Sequence, residues 1–119
     1  MQIIEFPNQP VVGLKIDSKI QKEDIEQLSE IVDLKLQEYQ HLGVYIEVDH
    51  FPQLTIPALI EDIKRFLPKF NRFKKKAVVG PKSWYMNIGS RIAEWIPGIE
   101  FQHFTEEQKE EAREWITIL

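Results

Sequence analysis

The chain has 119 residues, 43% apolar and 29% charged, with no cysteine and a net charge of −4. Size and composition are those of one globular domain with its own core, residues 1–119. They exclude a disulfide scaffold, a zinc–thiolate or iron–sulfur site and a thiol nucleophile, and the acidic balance gives no bulk attraction to nucleic acid. No apolar run reaches the ~18 residues of a membrane span. Met1-Gln2-Ile3-Ile4-Glu5 has neither the basic nor the long apolar region of a secretory leader, so a cytoplasmic location is expected.

In chain order, residues 2–6 read as a short strand and Pro7-Asn8-Gln9-Pro10 as a turn. Val11–Asp17 alternates, with Val12, Leu14 and Ile16 on one face, and forms a hairpin with the first strand. From Lys22 to Tyr39 the period becomes helical: Ile25, Leu28, Val32, Leu36 and Tyr39 make one stripe, and Glu23, Asp24 and Glu26 favour the helix N-terminus. Ile31 and Leu34 fall off that stripe and are expected to face a partner or a second copy. Val44, Ile46 and Val48 alternate with Tyr45, Glu47 and Asp49 in another strand. Residues 56–71 read as a helix with Leu59, Ile63, Phe66, Leu67 and Phe70 inward, which Pro68 should bend or end. Ala77-Val78-Val79 is a short apolar strand stopped by Gly80-Pro81. Trp84, Ile88, Ile92 and Trp95 mark a third helix closed by Pro97-Gly98, and Ile99–Phe104 is the last strand. Thr105-Glu106-Glu107-Gln108 has capping-box spacing before a final helix with Ala112, Trp115, Ile116 and Leu119 inward.

The order ββαβαβαβα predicts an α/β fold. Its sheet is mixed but mostly parallel, with five strands, an N-terminal antiparallel hairpin and about four helices. Strands buried on both faces should be continuously apolar, and only Ala77–Val79 is. One face of the sheet is therefore expected to be less covered, in a two-layer arrangement.

The segments Gly13-Leu14-Lys15-Ile16-Asp17, Tyr45-Ile46-Glu47-Val48, Asp62-Ile63-Lys64, Phe70-Asn71-Arg72-Phe73 and Ala77-Val78-Val79-Gly80-Pro81-Lys82-Ser83-Trp84 resemble the SpoIIAA-like family over nearly the whole chain. The resemblance implies a fold related to the STAS domain of anti-sigma-factor antagonists and similar to lipid-carrying CRAL-TRIO domains. True antagonists switch through an Asp-Ser-Ser-Gly segment. The matching stretch here is Leu54-Thr55-Ile56-Pro57-Ala58, with Pro57 near the place of the phosphorylated serine and Thr55 as the nearest hydroxyl. Thr55 suits a helix N-cap and Pro57 the first turn, so no phospho-switch is expected there.

Two further patterns bear on function. Residues 64–76 hold seven basic residues and no acid, with Phe66, Phe70 and Phe73 interleaved. This is either a core helix with a solvated basic face or a contact for anionic headgroups, through Lys69, Arg72, Phe73, Lys74, Lys75 and Lys76. The region 84–96 has more large apolar groups than a half-covered sheet needs. Phe66, Phe70, Trp84, Tyr85, Ile88, Ile92 and Trp95 are candidates for a pocket holding a small apolar or lipid-like ligand. Catalytic signals are weak. His41, His50 and His103 are scattered, Asp49-His50 has no nucleophile nearby, and Glu47 with Asp49 reads as solvated on the open sheet face. The residues thus point to a non-catalytic domain with no cofactor or metal, which binds an apolar or lipid-like ligand and associates reversibly with the inner membrane surface. The alternative is a STAS-like protein–protein regulatory module without the serine, and a homodimer fits either reading.

Overall fold

Pro7 and Asn8 reverse the chain between the first two strands. Proline second and asparagine third is the order a type II turn requires, because its third residue takes a positive φ. Asn8 has φ 60°, and the Gln9 amide donates to the Phe6 carbonyl at 3.3 Å. The structure is a computed structural model that describes residues 1–17, 21–48, 72–81 and 100–118. Across the turn, β1 (Gln2–Ile4) and β2 (Val11–Ile16) pair antiparallel, with Ile3 opposite Leu14.

The helix α1 (Lys22–Glu38) begins where the Gln21 amide donates to Asp24 Oδ2 at 2.8 Å. Leu28 and Val32 are buried, and Ile31, Leu36 and Tyr39 pack partly against the same core. Lys35 ties this helix to the hairpin: its Nζ donates to the carbonyls of Phe6 at 2.8 Å and Gln9 at 2.7 Å. Burial holds the Lys35 amine below its ordinary pKa, with Glu38 opposing.

Three more strands, β3 (Leu42–Val48), β4 (Phe73–Val79) and β5 (Glu100–Phe104), extend the sheet in parallel, in the spatial order β1-β2-β3-β4-β5. Then Thr105 opens a 3₁₀ turn, Glu106–Gln108, its amide donating to Gln108 Oε1 at 3.1 Å. The turn runs into α2 (Lys109–Thr117). The mixed five-stranded sheet and the hairpin agree with the sequence reading. Among the described residues there are two α-helices; the helices expected at 56–71 and 84–96 lie outside them.

Coverage of the sheet departs from expectation. One core cluster lies on the α1 face and holds Val12, Leu14, Ile16, Val44, Ile46, Val78 and Phe73. The second lies under α2 and holds Phe6, Val11, Tyr45, Ala77, Val79, Phe104, Ala112 and Ile116. All seven residues of β3 are buried, so the centre of the sheet is covered on both faces. Alternation misled because the polar members, Tyr45 and Glu47, are held under α2 rather than left to water. Gly43 makes this close approach workable, since a Cβ there would meet Ile116 Cδ1 at 3.0 Å.

The fourth strand starts four residues earlier than its apolar run. Leu42 pairs with Phe73 and Gly43 with Lys75, so Lys74 is an extra residue in a β-bulge. Phe73 and Lys76 therefore share the α1 face, and Lys75 points to α2.

Candidate functional site

The basic segment is largely part of the fold. Phe73 is 2% exposed and Lys76 3%. Lys75 Nζ donates to the Trp115 carbonyl at 3.3 Å and the Ile118 carbonyl at 2.6 Å, and lies 4.5 Å from the centroid of the Trp115 ring. It thereby satisfies carbonyls at the end of α2, where a cation suits the helix dipole. Arg72 Nε donates to the Gln40 carbonyl at 2.8 Å. Of the described members only Lys74 is exposed. The expectation that Lys75 and Lys76 are solvated and Phe73 free for insertion is thus corrected: strand alternation sends these three side chains into the two faces of the sheet, while Arg72, just before the strand, is half-buried and tied to Gln40. Lys69, Phe66, Phe70, Trp84, Tyr85, Ile88, Ile92 and Trp95, and the switch-equivalent Thr55 and Pro57, lie outside the described residues.

Lys76 is the anomaly of the segment. Register places it between Val44 and Phe101 on the apolar α1 face. Among the described residues its amine has no hydrogen bond or ion pair, and burial pulls its pKa down to about 8.

A second polar group sits under α2, at the C-terminal end of the central strand. Glu47 is 7% exposed. Its carboxylate accepts from Lys109 Nζ at 2.9 Å and lies 3.8 Å from Arg113. Lys109 also pairs with Glu106 at 3.2 Å, and these hydrogen bonds to Glu47 and Glu106 raise the Lys109 amine. The Arg113 guanidinium stands 5.3 Å from the Tyr45 ring and 5.5 Å from the Phe6 ring. Tyr45 Oη is buried without a hydrogen-bond partner among the described residues. Burial, reinforced by Glu47, pushes the Tyr45 phenol up to about 12, with Arg113 and Lys109 opposing. Glu47 is therefore a buried, ion-paired residue rather than a solvated one. Asp49 and His50 lie outside the described residues. His41 and His103 stand at opposite ends of the sheet, and His103 shares a 2.9 Å hydrogen bond with the Gly80 carbonyl.

The third feature is a groove of about 880 Å³ between the hairpin and α1. Ile3, Val12 and Ile31 line its apolar part, and Leu34 stands on its helical wall, 64% exposed. Leu34 thus lies where the sequence placed it, off the buried stripe, whereas Ile31 is half-buried against the core.

The SpoIIAA-like family model matches residues 11–117. The chain belongs to the SpoIIAA-like family. No curated protein and no solved structure matches the chain. The sheet of this SpoIIAA-like chain fits a STAS-related fold. No helix among its described residues is long and apolar enough to cross a membrane. Two residues of this SpoIIAA-like domain escaped sequence reasoning. Glu47 had a signal: Lys109 and Arg113 are spaced i, i+4 on a helix that must pack on the sheet. Lys76 had none in its immediate neighbours, since the face it takes depends on the bulge at Lys74.

Proposed function

We propose that this SpoIIAA-like chain is a non-catalytic, partner-binding regulatory module of the STAS type that works without a serine phospho-switch. Family membership supports the regulatory class. The stretch Leu54-Thr55-Ile56-Pro57-Ala58 lacks the serine such a switch needs. The observation that carries the reading is Leu34, a large apolar side chain 64% exposed beside an open groove. Exposed apolar groups that border a concave surface mark interaction sites more than singly scattered ones do. The lipid-ligand reading has less support: its pocket residues lie outside the described part, and most of its described basic residues are engaged in the fold.

Native mass spectrometry of the full chain, purified from the cells that make it after mild cross-linking, tests this. A stoichiometric protein partner is expected. Co-purified lipid with no protein partner would overturn the reading in favour of a ligand carrier.

A further inference from the structure

We propose that the groove between β1 and α1 is a docking site for a basic amphipathic helix of a partner protein, with Leu34 as the apolar anchor. This rests on the partner-binding reading and adds a place and a chemistry to it.

The geometry fits a helix. Five strands spaced about 4.8 Å apart make a sheet roughly 19 Å across between outer strand axes, while a helix is about 10–12 Å wide. Among the described residues α1 is the one helix on this face, and one helix cannot cover it; the groove lies where α1 borders the hairpin. Its helical wall is Gln27, Glu30, Ile31 and Leu34, at spacings i, i+3, i+4 and i+7. That is one ridge of a helix surface, the feature a second helix packs against. The apolar part of its floor is Ile3, half-buried against the α1-face core that holds Val12. An extended peptide has less to hold, because the free edge of β1 is only three residues long.

Charge selects the occupant. Among the described residues the charged ones lining the groove are Glu5, Glu30 and Lys35. Lys35 is committed to the Phe6 and Gln9 carbonyls, and Glu5 and Glu30 are exposed. Over its whole length α1 carries Glu23, Asp24, Glu26, Glu30, Asp33 and Glu38 against Lys22 and Lys35. Its balance of −4 equals that of the whole chain. A second copy docking by the same helix would set acid against acid, and an anionic bilayer would be repelled in the same way. An apolar stripe flanked by lysine or arginine answers both the floor and the rim.

The test uses the full chain and a fluorescent helical peptide of leucine and lysine in amphipathic order, with a leucine–glutamate peptide of the same pattern as control. Anisotropy should show the basic peptide binding at least tenfold more tightly, and the preference should shrink with added salt. Amide shifts should concentrate in residues 2–6 and 27–35. Leu34→Asp, which removes little buried surface, should keep the fold and weaken binding about tenfold or more, and Glu30→Lys should weaken it further. Ile118→Asp changes the other strongly exposed large apolar residue among the described ones, 70% exposed at the end of α2, and should leave affinity unchanged. Equal binding of both peptides, amide shifts elsewhere, or indifference to Leu34→Asp in a folded variant would overturn the proposal. A native protein partner that ignores Leu34→Asp would leave the partner-binding reading standing and remove only this site. Absence of any protein partner removes the broader reading.

Discussion

Replacing Lys76 with methionine should make the protein more stable. The side chain is 3% exposed on an apolar face, and burial takes its amine from 10.5 to about 8. Holding the ammonium form in the fold therefore costs about 3 kcal/mol, at roughly 1.4 kcal/mol per tenfold change in a proton equilibrium. Methionine has similar length and no charge, so packing should change little. The sign with pH follows from the lowered pKa. Below pH 8 the amine is protonated both folded and unfolded, and the whole penalty applies. Between pH 8 and 10.5 the folded chain has released its proton while the unfolded chain keeps it, so the wild type gains stability as pH rises. The variant should thus lead by about 3 kcal/mol at pH 7 and by less than about 1 kcal/mol at pH 10. In urea, with m of about 1–3 kcal/mol per molar, the pH 7 lead moves the midpoint up by roughly 1–3 M. Tryptophan fluorescence, from Trp84, Trp95 and Trp115 together, along urea gradients at both pH values is a direct assay. A variant midpoint at or below the wild type at pH 7 would refute the reasoning, as would a lead that persists undiminished at pH 10.

Glu47→Gln should destabilise the domain by about 1–2 kcal/mol. It breaks a buried ion pair, but Lys109 and Arg113 are partly exposed and can turn to water; thermal melts of the two proteins read the difference. Gly13→Ala should cost about 1–3 kcal/mol by overpacking, since a Cβ would sit 2.6 Å from the Ile4 carbonyl oxygen and 2.7 Å from the Phe6 ring. Chemical denaturation measures that loss, and an unchanged midpoint would show that the hairpin can open there. Lys75→Met should fray the end of α2 by removing the donor to the Trp115 and Ile118 carbonyls. Amide exchange at residues 114–118 should quicken, while exchange in β3 stays slow.

The legible parts of the chain were those where one face meets one core. The stripe Leu28, Val32, Leu36 and Tyr39 located α1, Pro7-Asn8 located the turn, and Ala112 with Ile116 located the buried side of α2. Leu34 was legible as an outward residue for the same reason. The illegible parts depend on partners distant in sequence. Glu47 is polar by type yet interior by place, because Lys109 arrives over it from 62 residues further on. The run from Lys74 to Lys76 reads as one charged patch, although strand alternation and the bulge send its three lysines to water, to α2 and to the α1 face. The groove was invisible in advance, since its two walls, the hairpin and α1, meet only in the fold.

The bulge in the fourth strand has a consequence for chain length. Phe73 and Lys75 face consecutive partners, Leu42 and Gly43, so Lys74 is surplus to the ladder. A chain lacking it would run Phe73 directly into Lys75. Each of its remaining side chains would keep its face, Phe73 and Lys76 toward α1 and Lys75 toward α2. Loss of a residue anywhere else in the strand would turn one stretch of side chains inside out. Lys74 is thus the position where the strand can shorten by one residue without rewriting either core.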